Sequence, residues 1–171
     1  MFNCSSELKK CLSESFETYS YEEMMDISAD QIPIKNKRVC RDNIRKMFEN
    51  DNLKFVVNRN EHGNITAVAG LDTNPSDGTI NIDEIFSFEK GAGAELLKHI
   101  LSDESVPMIW FVADWGGSPE TLYKYYRRPE FGLTEYVWKN ERTHMDIHFF
   151  YKNNSLSEEE MQYYLDEEFQ Y

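Results

Sequence analysis

Ile85-Phe86-Ser87-Phe88-Glu89-Lys90-Gly91-Ala92-Gly93-Ala94-Glu95-Leu96-Leu97 is the stretch that decides the fold. It reads as the end of a strand, a glycine turn and the start of a helix. Upstream, Ile80, Ile82, Ile85 and Phe86 belong to a strand over residues 79–87. Downstream, Ala94, Leu96, Leu97, Ile100 and Leu101 fall at helical spacing. Unpaired backbone N–H groups at such a helix start, aided by the helix dipole, can hold an anion. Gly91 and Gly93 would let a phosphate approach the backbone with no Cβ in the way. The stretch is not a P-loop, because GxxxxGK[ST] is absent, and the third glycine of a dinucleotide fingerprint is missing.

The flanking segments extend the pattern. Residues 53–58 and 65–71 read as two strands joined by the turn Asn60-Glu61-His62-Gly63-Asn64, and Asn74-Pro75-Ser76-Asp77-Gly78 is a second turn. After the glycine-opened helix, residues 107–113 (Pro-Met-Ile-Trp-Phe-Val-Ala) have the length and apolar character of a buried central strand. Ser118 and Pro119 look like an N-cap and first helical residue, and the helix carries Leu122, Tyr123, Tyr125 and Tyr126 up to Pro129. Residues 133–138 and 144–151 are closing strands. The first third reads as helical, with Leu8, Cys11, Leu12, Ser15 and Phe16 as one apolar stripe and a second helix over residues 37–49. Lys35, Lys37, Arg38, Arg41, Arg45 and Lys46 make that second segment locally basic, a solvated face or a contact for an anion or a partner. Met161, Tyr164, Leu165 and Phe169 give the acidic tail the spacing of an amphipathic helix.

Length and charge bound the rest. A chain of 171 residues fits one domain, organised as a helical part over 1–50, a core over 53–152 and an acidic tail over 153–171. The net charge of −13 disfavours nucleic-acid phosphate and anionic membrane and favours cationic partners. No long apolar run marks a transmembrane span, and the N-terminal residues show no signal peptide. Cys4, Cys11 and Cys40 form no CxxC pair, so a reduced, cytoplasmic protein is expected. His144 and His148 make only half a zinc site, and no metal is expected.

The order of elements resembles the GNAT superfamily of acyl-CoA-dependent N-acetyltransferases. The family's main motif is a strand, then [Arg/Gln]-x-x-Gly-x-[Gly/Ala], then a Leu-rich helix. Gly91-Ala92-Gly93-Ala94-Glu95-Leu96-Leu97 matches its latter part, while Phe88 stands where the family carries Arg or Gln. The next motif, a strand and a helix with Leu-Tyr ending in Gly-Phe, is similar to Leu122-Tyr123-Lys124-Tyr125-Tyr126-Arg127-Arg128-Pro129-Glu130-Phe131. The resemblance spans about residues 53–152 and implies an α/β (α+β) domain. Its sheet would be mixed, mostly antiparallel, six- to seven-stranded and flanked by helices, with splayed central strands. The strands holding Ile82 and Phe111 would be its parallel pair. It also implies acetyl-CoA as co-substrate. Phe86, Ser87 and Phe88 would face the pantetheine, and Lys90, Gly91, Ala92, Gly93 and Ala94 would hold the pyrophosphate. Ser118 and Lys124 would contact the pantetheine arm or phosphates.

Acyl transfer to an amine needs an acid for the departing thiolate and a base for the amine. Phenol and thiol pKa values lie close, so a tyrosine suits the first role. By the resemblance, Tyr126 comes first, since it stands five residues before Phe131 as the family's tyrosine stands before its aromatic, and Tyr123, which follows a Leu as the family's does, comes second. Both could equally be core aromatics. Glu84 is the first candidate base because alternation sets it beside Ile80, Ile82 and Phe86, and Asp83 is the second. Two functions are therefore expected. One is acetyl transfer to a primary amine of a small cationic molecule or a protein lysine. The other is a catalytically inactive scaffold whose acidic surface occupies a basic site as a nucleic-acid-mimicking decoy.

Overall fold

A computed structural model describes residues 15–26, 51–113, 119–140 and 145–168. They form β1 (Ser15–Tyr19), α1 (Tyr21–Asp26), β2 (Lys54–Arg59), β3 (Ile65–Thr73), β4 (Ile80–Ser87) and α2 (Ala92–Leu101). There follow β5 (Met108–Val112), α3 (Pro119–Tyr126), a short 3-10 turn at Pro129–Phe131, β6 (Thr134–Asn140), β7 (Met145–Asn153) and α4 (Glu158–Tyr163). A π-helical turn, Tyr164–Glu168, continues α4. The seven strands join one sheet in the order β1-β2-β3-β4-β5-β7-β6. It is mixed. β4 and β5 run parallel, registered at Ile80↔Ile109 and Asn81↔Trp110, whereas β1/β2, β5/β7 and β6/β7 are antiparallel. The crossover from β4 to β5 runs through α2, as a parallel pair requires.

Among the described residues, one compact unit takes in the chain up to Gly70 together with Glu84–Leu96. Its core is Met24, Leu53, Phe55, Val57, Ile65 and Val68, with Tyr19, Tyr21, Phe86 and Phe88 packed against it. Full burial of a side chain such as Phe55 contributes about 1.5–3 kcal/mol. Residues 15–19 correct the sequence reading, which placed Ser15 and Phe16 on a helix. They form a strand whose Ser15 pairs with Arg59 and whose Tyr19 pairs with Phe55. Long-range polar contacts hold it there. Arg59 donates through Nε to Glu17 at 2.7 Å and through Nη2 to the Tyr19 hydroxyl at 3.1 Å. Tyr19 also donates to Glu17. The Tyr19 and Arg59 hydrogen bonds hold the Glu17 carboxyl below its ordinary pKa, despite some burial. The remaining helical expectations for the first fifty residues, the basic segment near Arg41 included, lie outside the described residues.

The other unit comprises Leu71–Asp83 and the chain from Leu97 onward. Alternation along β5 and β7 gives its sheet two apolar faces. Met108, Trp110 and Phe149 pack with Met161 and Tyr164 of the C-terminal helix, and Leu165 lies against the same cluster. That helix starts at a capping box. Ser157 Oγ accepts from Glu160 N at 3.3 Å, and Glu160 Oε2 accepts from Ser157 N at 2.8 Å. Tyr164 hydrogen-bonds Thr79 at 2.9 Å and donates to Asp77, tying the helix to the turn before β4. On the other face Phe111 and Phe150 stack at 5.8 Å and receive the tyrosines of α3.

Candidate active site

The glycine turn follows β4 directly. Gly91 has φ +91, which favours glycine, and a Cβ there would meet nothing within 4 Å. Beside it lies a cavity of about 530 Å³ lined by Asn60, Glu61, His62, Thr66, Glu89, Lys90, Gly91, Ala92 and Glu95. Gly93 lies against the end of β4. A Cβ on it would sit 3.0 Å from Ser87 Cβ, so the residue is small because the strand end passes close by. Its N–H donates to Ser87 Oγ at 3.1 Å, and Ser87 Oγ donates to the Glu89 carbonyl at 2.7 Å. The N–H groups of Ala92 and Ala94 bond the carbonyls of Glu89 and Gly91 at 3.2 and 3.0 Å. Phe88 N–H bonds the Thr66 carbonyl at 2.8 Å. The half-buried Phe86 and Phe88 side chains lie on the first core. For a diphosphate, the open space at Gly91 and the Lys90 ammonium are the features that fit. Glu61, Glu89 and Glu95 on the cavity wall oppose it. Asn60 Nδ2 holds Glu89 at 3.1 Å.

The tyrosines of α3 have unlike surroundings. Tyr126 is enclosed by Phe111, Tyr125 and Phe150, with ring centroids at 4.7, 5.2 and 5.4 Å. Burial, and then Tyr125, push its phenol up to about 12. Giving a proton to a thiolate of ordinary pKa near 8.5 then costs about 5 kcal/mol, against about 2 kcal/mol for an ordinary phenol. That cost counts against Tyr126, which the sequence reading set before Tyr123. The Tyr123 ring stacks on His148 with centroids 3.7 Å apart and planes 22° apart. His148 Nδ1 lies 2.6 Å from Glu135 Oε1. Arg127 donates to both oxygens of Glu135, through Nε at 2.6 Å and Nη2 at 2.7 Å. The Arg127 bond, and then that of His148, hold Glu135 below its ordinary pKa against some burial. Sequence reasoning missed this cluster. The signal lay in the β6/β7 register, where Glu135↔Phe150 and Val137↔His148 make Glu135 and His148 diagonal neighbours on one face.

The β4 carboxylates occupy alternate faces. Glu84 is half-buried and Asp83 is exposed over much of its side chain. Even so, lost hydration at its carboxyl end, followed by the charge of Asp72, pushes Asp83 up. Lys124 is exposed on α3, and Ser118 lies outside the described residues. Among the described residues there is no group of three or more His, Cys, Asp or Glu able to hold a metal, and no helix is long and apolar enough to cross a membrane.

No protein-family model matches the sequence, and no curated protein matches it. Solved structures do. A protein of Desulfovibrio desulfuricans assigned to the GNAT acetyltransferases superposes with a TM-score of 0.54 at 12% identity, over 84% of this chain and 100% of its own. A spermidine N-acetyltransferase SpeG chimera from Vibrio cholerae and hSSAT gives 0.52 at 13%, over 82% and 95%. A protein assigned as a phosphinothricin N-acetyltransferase gives 0.50 at 16%, over 84% and 100%. With β4, the glycine turn and α2 leading into a parallel β5, the chain has the fold of the GNAT acetyltransferases.

Proposed function

We propose that the chain is an acetyl-CoA-dependent N-acetyltransferase acting on a primary amine of a small cationic molecule or a protein lysine. The observation that carries this reading is the strand, glycine turn and helix of β4 and α2, with open space at Gly91, in this fold. Acetyl-CoA would supply an acyl group activated as a thioester. Lys90 and Gly91 would hold its diphosphate, with the backbone of Ala92, Gly93 and Ala94 shaping the turn. Backbone groups of Phe86, Ser87 and Phe88, and the side chains of Ser118 and Lys124, would contact its pantetheine arm and phosphates. Tyr123 would donate its phenolic proton toward the sulfur. One of Glu84 and Asp83, which face opposite ways, would take a proton from the amine nitrogen. The net charge of −13 favours a cationic acceptor. The test is thiol release from acetyl-CoA with a polyamine and with a lysine peptide. Release that depends on the amine supports the reading, and none with either amine refutes it.

The carboxylates of Glu61, Glu89 and Glu95 around the turn, with the Gly93 N–H already bonded to Ser87, favour a second reading. On that reading the chain keeps the scaffold, holds no acyl-CoA and uses its acidic surface to occupy a basic site, as a nucleic-acid mimic would.

A further inference from the structure

Tyr123, His148, Glu135 and Arg127 form a closed ring of contacts, and the geometry points to His148 as a positioning residue that fixes the Tyr123 phenol for proton transfer. The inference rests on reading Tyr123 as the proton donor. α3 is eight residues long, and Tyr123 is half-buried on it. The imidazole under it is held firmly. Its side chain is 12% exposed and its Nδ1 is 2.6 Å from Glu135. Glu135 is kept ionised and can only accept, so Nδ1 carries the hydrogen and the ring plane is set. Glu135 is fixed in turn by the two-pronged Arg127 contact. Arg127 stands one turn after Tyr123, with its guanidinium carbon 5.9 Å from the same ring. Two groups anchored on one carboxylate therefore grip a single phenol.

Packing alone does not call for this arrangement. Phe150, on the same strand face, fills space without hydrogen bonds. Placing a carboxylate and an imidazole there costs hydration and returns orientation, which proton transfer needs. A misplacement of about 1 Å in a reacting group can cost about 10²-fold in rate.

The test compares H148A, H148F and E135Q, each made in the wild type and in Y123F, by kcat and KM for acetyl-CoA-dependent acetylation. H148A and E135Q should each lower kcat about 10- to 100-fold, with KM for both substrates within about threefold. H148F restores a ring under Tyr123 and should regain most of the H148A loss. In the Y123F background no hydroxyl remains to be positioned, so H148A and E135Q should lower kcat by less than about threefold further. Losses that multiply undiminished in Y123F, or that appear in KM rather than kcat, overturn the positioning role while leaving acetyl transfer intact. E135Q keeps a hydrogen-bonding side chain in place, so it answers the question if H148A fails to fold. A wild-type chain that acetylates no amine overturns the transferase reading and this role with it.

Discussion

Ser87 and Gly93 approach so closely that a Cβ on Gly93 would lie 3.0 Å from Ser87 Cβ. The contact joins the end of β4 to the first turn of α2. Ser87 cannot easily give way, because its hydroxyl accepts from Gly93 N–H and donates to the Glu89 carbonyl. Gly93→Ala should therefore destabilise the fold by about 1–3 kcal/mol through overpacking. For a chain of this size that lowers Tm by roughly 2–10 °C. Ser87→Gly combined with Gly93→Ala should recover part of the loss. Thermal unfolding of the two variants decides the matter, and a Gly93→Ala Tm within 1 °C of wild type would remove the contact from the explanation.

Tyr123→Phe should lower kcat more than Tyr126→Phe. A positioned acid contributes about 10²–10⁴-fold, so the first variant should lose that much if chemistry limits turnover. Tyr126 has its phenol pushed up to about 12 and is ringed by Phe111, Tyr125 and Phe150, so loss of its hydroxyl should cost less than about threefold. Single-turnover rates of the two variants check this. The opposite ranking would return the acid role to Tyr126.

Glu89 and Glu95 stand on the cavity wall where a diphosphate would lie. A carboxylate about 7 Å from such a group in water opposes it by roughly 0.5–1 kcal/mol. Glu89→Gln and Glu95→Gln should each tighten acetyl-CoA binding about two- to fivefold at low salt, with the gain shrinking as salt screens the charges. Lys90→Ala should weaken it. Calorimetry on the three variants measures the effect, and weaker binding in both Gln variants would contradict this placement of the diphosphate.

Asp83→Asn should stabilise the chain at neutral pH. Burial, and then Asp72, raise the Asp83 carboxyl above its ordinary value of 3.8 in the fold. The folded state thus binds this proton more tightly than the unfolded chain. Stability tied to the group is complete below the unfolded pKa and is lost as pH rises through the raised one. The Asn variant has no such loss. Its Tm should exceed wild type by about 1–2 °C at pH 7 and converge with it below roughly pH 3.5. Calorimetric scans across that range test the sign, and a lower Tm at pH 7 would reverse it.

Most of the sheet was legible in the sequence because its signals are local. Phe55 and Val57, the Ile80–Ser87 strand and the Met108–Val112 run appear where apolar spacing and turn residues put them. Gly91 and Pro119 mark the starts of their helices to within a residue. β1 was hidden because its evidence is distant. Phe16 continues a helical spacing from Leu8, while the partner that makes residues 15–19 a strand is Arg59. The site divides in the same way. The glycine turn is a contiguous motif, but the purpose of Gly93 depends on where Ser87 Cβ lies. The Glu135–His148 pair exists only through the β6/β7 register, and single residues of either strand carry no trace of it. The surroundings of Tyr126 were equally out of reach, because the rings of Phe111 and Phe150 belong to strands that sequence reading could not set against α3.

Calorimetric titration of the wild-type chain with acetyl-CoA tests the central claim most directly. If the turn around Lys90 and Gly91 holds an acyl-CoA, binding should saturate with a Kd in the micromolar range, about −8 kcal/mol at 1 μM. Tyr123→Phe should leave that Kd within about threefold, since the phenol is assigned to proton transfer and not to binding. Absence of binding up to millimolar acetyl-CoA would contradict the transferase reading and leave the acidic scaffold as a binding protein.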